Sequence, residues 1–290
     1  MANHLTTPAY WNRFYTGQDR IVPADPASWK ALPERDIFAL KCRHGVQTGR
    51  VLELGGGASP WLAYLAPRFP DAGYVCLDFA EEGVRRLRTW AAETGVVNLE
   101  VVQGDFFAPP PIGTFDFVFS HGVVEHFTDL PGVLRAHADF MTPGGRMLTI
   151  IPNMAGILGW LTRRMNRPVY DLHVPHDLAS LRDGHHRAGL DLVESGYLCS
   201  NHFGVLSSCV SRPAGFVFQL YKALSRLSKA VWLAEDRLGR LPATRFFAPY
   251  IYAVSRWPAS APHGDAGSTR APGARDDGAG ARPTRAAERA

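Results

Sequence analysis

The chain has 290 residues, of which 46% are hydrophobic and 11% aromatic, so it can bury one large core or two small ones. Its formal charge of +4 comes without blocks of like charge, which argues against a nucleic-acid-binding surface. Four scattered cysteines (Cys42, Cys76, Cys199, Cys209) make no C-x-x-C and exclude a disulfide frame or a zinc knuckle. They are expected as reduced thiols of a cytoplasmic protein, since the first residues also lack the basic and apolar regions of a signal peptide.

In chain order, residues 1–49 are rich in aromatic residues and proline and are expected to form an irregular or helical cover. Strands and helices then alternate, the pattern of a mostly parallel sheet with helices on both faces. RVLEL (50–54) is strand one. SPWLAYL opens a helix, with Ser59 placed to cap it and Pro60 at its first position. AGYVCLD (72–78) is strand two. The helix 80–95 carries Glu81–Arg85 and Glu82–Arg86 pairs and stops at Gly95. NLEVVQGD (98–105) and FDFVFS (115–120) are strands three and four. A helix over 130–141 ends at TPGG, and RMLTIIP (146–152) is strand five. A helix over 177–190, with His185 and His186 on its surface, leads to strand six, DLVESGYL (191–198). IYAVSRW (251–257) is the seventh strand.

A helical insert, about 200–248, separates the last two strands. In it Leu220, Leu224, Leu227 and Val231 step at helical spacing, with Lys222, Arg226 and Lys229 off that stripe. The stripe is expected to pack on the core or form a lid, in preference to touching a membrane surface. Residues 258–290 hold no Leu, Ile, Val, Met, Phe, Tyr, Trp or Cys and are expected to be disordered. The organisation is therefore a cover at 1–49, one domain at 50–257 and a tail at 258–290.

The chemistry concentrates at strand ends. Strand one runs into Glu53-Leu54-Gly55-Gly56-Gly57. A dinucleotide loop needs a third glycine at position 60, where this chain has Pro60, and Glu53 would repel a pyrophosphate. A cationic nucleoside without phosphate has the opposite preference. Strand two ends in Asp78, placed to bind ribose hydroxyls, and strand three in Asp105-Phe106, placed to accept from and pack on adenine. Strand four ends in Ser120-His121. Three acids at the ends of three successive strands after a glycine loop point to one ligand, and Glu53, Gly55, Gly57, Asp78, Asp105, Phe106 and Ser120 are its expected contacts.

The run Glu53-Leu-Gly55-Gly56-Gly57-Ala-Ser59, the acids Asp78 and Asp105, and the phrases FDFVFSHGVVEHFTD and PGGRMLTIIPN resemble the class I S-adenosylmethionine (SAM)-dependent methyltransferases, over most of residues 50–257. Ser59 departs from the glycine many members carry there. The resemblance implies a Rossmann-like seven-stranded sheet, SAM as methyl donor and a soluble enzyme acting at oxygen or nitrogen of a small molecule. A SAM-binding partner subunit without catalysis is the alternative.

In-line displacement at a sulfonium needs alignment and exclusion of water, and for a hydroxyl a general base. His121 is the first candidate for that base, with His173 and His176 next, since both lie in the connection after strand five. No metal is expected. Some relatives hold a divalent cation with Glu-x-x-Glu-His, but Gly122 stands where the first glutamate would be, leaving Glu125, His126 and His176 as a partial set. Tyr10, Trp11, Phe14 and Tyr15 are expected either as a lid or as core cover. MAGILGWL (154–161), followed by Arg163 and Arg164, suggests an apolar wall for an apolar or lipid-linked acceptor.

Overall fold

The computed structural model describes residues 4–17, 20–210 and 212–258. The tail expected to be disordered lies, apart from Pro258, outside these residues. The centre is a seven-stranded sheet of β1 (Arg50–Leu54), β2 (Gly73–Asp78), β3 (Leu99–Gln103), β4 (Phe115–His121), β5 (Met141–Pro152), β6 (Asp191–Leu198) and β7 (Tyr250–Arg256), in the order β3-β2-β1-β4-β5-β7-β6. Only β7 runs against the others, pairing antiparallel with both β5 and β6. The strand order reverses between β1 and β4, so a crevice opens beyond the carboxyl ends of these two strands.

The helices are α1 (Pro8–Thr16), α2 (Leu32–Arg43), α3 (Pro60–Arg68), α4 (Glu81–Thr94), α5 (Leu130–Ala138), α6 (Ile157–Met165), α7 (Arg167–Tyr170), α8 (Leu178–Arg187) and α9 (Gly215–Leu238). Side chains alternate across each strand, and both faces of the sheet are covered, which is why the central strands read as largely apolar runs. Val51, Phe117 and Phe119 pack on one face with Ile37, Leu62 and Leu87 from α2, α3 and α4. Leu52, Val118 and Ile151 pack on the other with Leu134 from α5 and Leu181 from α8. Among the described residues no helix is long and apolar enough to cross a membrane.

Several local expectations change. The helix expected over 130–141 stops at Ala138, and TPGG belongs to β5. Its residues form an irregularity that carries the pairing from Phe115 with Met141 to Phe117 with Arg146, with Gly144 in the left-handed region at φ +77°. Arg85 pairs with Glu82 at 2.6 Å rather than with Glu81, and Arg86 lies 3.7 Å from the same Glu82. His185, expected on the surface, is buried on the inner side of α8, its Nδ1 2.9 Å from the Ser255 hydroxyl of β7; His186 is exposed.

The stripe expected to seat the insert does so only in part: Leu224 packs on the Phe203–Cys209 turn, but the helix is rotated away from the rest of the stripe. The buried residues of α9 are Ser228, Trp232 and Glu235, while Leu227 is 52% exposed. Polar partners set this rotation. The Ser228 hydroxyl accepts from Phe203 N–H at 2.9 Å, Trp232 Nε1 donates to the Asn201 carbonyl at 3.0 Å, and Glu235 accepts from the Ser200 hydroxyl at 2.8 Å. Three satisfied buried polar groups outweigh a better apolar fit, because leaving any of them unpaired in the interior is costly.

Candidate active site

The crevice at the strand ends is a cavity of about 910 Å³ walled by the glycine loop, α1, the β4 end and the 3-10 turn Phe203–Cys209. Its floor is the turn after β1. Gly55 takes φ +71°, and a Cβ there would come within 2.5 Å of Val123 Cγ2, so only glycine fits. Ser59 closes the turn by capping α3: its hydroxyl accepts from Trp61 and Leu62 N–H and donates to Glu53 Oε2 at 2.5 Å. The departure from glycine at this position thus supplies the partner of a buried acid.

Asp78 ties the loop to β2. Its Oδ2 accepts from Gly57 N–H at 2.7 Å and its Oδ1 from Ala80 N–H at 2.7 Å. Burial pushes its pKa up to about 6, against the pull of these backbone donors. Burial also pushes Glu53 up, offset by the Lys41 ammonium and the Ser59 hydroxyl; Lys41 is pulled down by its own burial and held up by Glu53. Lys41 has no hydrogen-bond partner among the described residues, and its Nζ rests 3.2 Å from the centre of the Phe119 ring. The floor is therefore two buried carboxyls, each costly to ionise alone and each made easier to ionise by an incoming cation.

The far side of this floor has a second close approach. A Cβ on Gly83, in the first turn of α4, would meet Gly57 Cα at 2.9 Å and Tyr15 at 2.7 Å. Phe79 and Phe106 join the wall next to Asp78. Asp105 does not: it is exposed and off the wall, because its Oδ1 turns back to accept from Phe107 N–H at 2.9 Å. Ser120 is also absent from the wall. In β4 the alternation of side chains turns His121 into the cavity and Ser120 to the opposite face, where its hydroxyl is buried without a partner among the described residues.

The opposite end is lined by imidazoles and aromatic rings. His121 meets the Tyr250 ring edge-on at 5.2 Å, and His202 Nδ1 lies 3.3 Å from the Tyr250 hydroxyl. Burial pulls His121 down to about 3, with Lys41 and His202 adding to the effect, and pulls His202 down to about 4. Both are neutral at physiological pH. His173 lines the cavity as well, and burial lowers its pKa. His176 is off the wall; its Nδ1 faces the Ser180 hydroxyl at 3.4 Å in the first turn of α8. The segment 154–161 is not part of the wall either, because Leu158 and Leu161 pack on Phe203 and Leu206.

Glu125, His126 and His173 stand together, with one ligand atom of each within 4.8 Å of the others. His126 Nδ1 donates to the Leu172 carbonyl at 2.7 Å and His173 Nδ1 to the Val169 carbonyl at 2.8 Å. These bonds leave both Nε2 lone pairs free. Burial pushes Glu125 up to about 8, and its Oε2 has no partner among the described residues. The group has the donor chemistry for a divalent cation, with His173 in the place expected of His176.

α1 roofs the cavity. Tyr10, Trp11, Phe14 and Tyr15 all reach it, Tyr15 buried and Phe14 46% exposed. The preceding residues strap across the mouth, where Leu5 N–H donates to the His126 carbonyl at 2.9 Å. Sequence reasoning missed Lys41, His202, Tyr250 and Gly83. Only Lys41 left a signal, as a charge one helical turn from Ile37 on the apolar side of α2.

Residues 51–145 match the family model described as a methyltransferase domain. The aclacinomycin 10-hydroxylase RdmB of Streptomyces purpurascens is 31% identical over 130 residues, 44% of this chain and 30% of that protein. The ubiquinone/menaquinone biosynthesis C-methyltransferase UbiE of Enterobacter sp. (strain 638) is 33% identical over 117 residues, 39% of this chain and 46% of that protein. The chain thus spans less than half the length of these relatives. The solved structure of coclaurine N-methyltransferase, bound to N-methylheliamine and S-adenosylhomocysteine, has the same fold with a TM-score of 0.55 at 12% identity, covering 83% of this chain and 77% of that one.

Proposed function

We propose that the chain is a class I SAM-dependent methyltransferase, on the match of residues 51–145 to a methyltransferase domain, and that it transfers a methyl group from SAM to an oxygen or nitrogen of a small, apolar acceptor. The observation that carries this reading is the pair of buried carboxyls, Glu53 and Asp78, flanking the glycine loop. SAM brings an ammonium and a sulfonium to that floor and no phosphate, so it gains from both acids. The neighbour holding S-adenosylhomocysteine supports the same ligand class.

In the proposed reaction the acceptor atom donates a lone pair to the methyl carbon. The carbon–sulfur bond breaks, its electron pair returns to sulfur, and the acceptor loses a proton. The protein's part is alignment and dryness. α1 excludes water, and neutral His121 accepts a hydrogen bond from the nucleophile's O–H or N–H. With a pKa near 3 it orients the acceptor rather than storing its proton, which passes on to solvent. The aromatic roof and Val205 favour an apolar acceptor body.

The test pairs binding with turnover. SAM and S-adenosylhomocysteine are expected to bind, NADH is not, and Asp78→Ala weakens SAM by about 1–3 kcal/mol, roughly 5- to 150-fold, in calorimetry. Unchanged affinity in that variant removes Asp78 from the site. A second reading, a SAM-binding chain without methyl transfer, is favoured by the weak basicity of His121 and by a relative named as a hydroxylase. Single-turnover assays with methyl-labelled SAM and a panel of hydroxyl and amine acceptors separate the two.

A further inference from the structure

Helix α9 has three faces, and only one of them is used by the fold. At 100° per residue, Leu224, Ser228, Trp232 and Glu235 form the packed face. A second face carries Lys222, Arg226, Lys229 and Arg237. None of these four forms an ion pair among the described residues. The third face is apolar and open. Phe216, Leu227 and Leu238 recur every eleven residues along one line and are 80%, 52% and 86% exposed. The chain beyond the helix extends this face, with Leu241, Phe246 and Phe247 each more than half exposed. Leu227, Val231, Leu241 and Phe247 together line a shallow groove of about 320 Å³.

We propose that this face of α9 docks the protein on an anionic lipid surface. An apolar stripe beside an unpaired basic stripe on a helix too polar to span a bilayer is the arrangement that lies in a membrane interface, rings and Leu side chains in the acyl boundary, cations at the headgroups. Charge complementarity chooses the occupant. The insert holds Arg212, Lys222, Arg226, Lys229, Arg237, Arg240 and Arg245 against Glu235 and Asp236. Both acids are already engaged, Glu235 in the interior and Asp236 with Arg35. A second copy on this face would bring its own seven insert cations beside these, with no free acid of the insert to offset them. The chain's own tail, 259–290, has no large apolar side chain with which to cover the stripe.

The packed face of α9 rests on the 3-10 turn Phe203–Cys209, and Gly204, Val205 and Ser207 of that turn line the cavity. Docking would therefore hold the cavity wall close to the lipid surface, a short path for a lipid-linked acceptor. That last consequence rests on the methyl-transfer reading; docking itself does not.

The experiment is co-sedimentation of the full chain with vesicles of phosphatidylcholine alone or with 30% phosphatidylglycerol, at 0.1 and 0.5 M NaCl. Binding is expected only to the anionic vesicles and to fall at high salt. Lys222→Gln with Arg226→Gln and Lys229→Gln should lower partitioning about 100-fold, at roughly fivefold per cation. Phe216→Ser with Leu227→Ser should abolish it. Both variants should keep the parent melting temperature and S-adenosylhomocysteine affinity, since all five side chains lie outside the cavity wall. Failure to sediment with anionic vesicles overturns the proposal. So does binding that survives both variants, or a concentration-dependent dimer in sedimentation velocity that both variants dissolve.

Discussion

The two acids at the floor of the cavity are the most exposed to experiment at the level of single residues. Burial holds Asp78 near 6 against the pull of backbone N–H donors, and raises Glu53 against the Lys41 ammonium and the Ser59 hydroxyl. A bound ammonium stabilises both carboxylates and lowers both pKa values, so SAM binding should release protons between about pH 6 and 7. Affinity then rises with pH across this window. The check is calorimetry at pH 6.5 in phosphate and in Tris, whose ionisation enthalpies differ. Equal observed enthalpies in the two buffers would mean that no proton leaves and that the cation does not sit between these acids. Glu53 and Asp78 were legible because an acid closing an apolar strand has few other uses. Asp105 and Ser120, also read from strand ends, show the limit of that rule. Whether a residue at a strand end faces the cavity depends on the parity of the strand and on the next turn, and neither is written in the residue itself. His202 and Tyr250 were invisible because they come from distant segments that meet only in the folded chain.

Among the elements, the alternation of strands and helices from Arg50 was legible because the central strands are apolar on both sides and several helices carry a cap or a glycine stop. The cap on α3 joins stability to the site. Ser59→Ala removes two accepted N–H bonds and the hydrogen bond to Glu53, so the folded state should lose about 1–2 kcal/mol in denaturant unfolding. Glu53 should also become harder to ionise, which moves the pH dependence of SAM binding upward. A Ser59→Ala variant with parent stability would show that water replaces the hydroxyl. The orientation of α9 was not legible. Its apolar spacing gave a stripe, yet the helix turned toward Phe203 N–H, the Asn201 carbonyl and the Ser200 hydroxyl. Periodicity counts apolar side chains, whereas the rotation was decided by partners for three polar ones. The start of β5 escaped for a related reason, since TPGG is a turn signal unless a neighbouring strand supplies a place for the bulge.

For the whole molecule, the buried titratable groups predict how stability depends on pH. Burial depresses His121, His137 and His185 to about 3 and His126 and His202 to about 4. The unfolded chain binds these protons near pH 6.5 and the native state does not, so stability contributed by the histidines is full above 6.5 and is lost as pH falls toward 3–4. The raised carboxyls act in the opposite sense. Glu125 near 8 and Asp78 near 6 are protonated in the native state before they are in the unfolded one. Their contribution is present below about 4 and is lost as pH rises through 6 and then 8. Between pH 6.5 and 4.5 the two sets partly cancel. Below about 4.5 the carboxyls are protonated in both states and only the histidines still differ, so the decline steepens there. Above neutrality the histidines are silent, and two buried groups oppose each other: ionising Glu125 lowers stability, while the depressed Lys41, protonated there only in the unfolded chain, raises it. The melting temperature should therefore fall gently from neutral pH to about 4.5 and sharply below it, with only a small net change on the alkaline side. Scanning calorimetry from pH 4 to 9 reads this curve directly. A melting temperature that keeps climbing toward pH 4 would mean that the buried histidines take up protons in the native state, and the neutral state of His121 and His202 at the cavity would go with them.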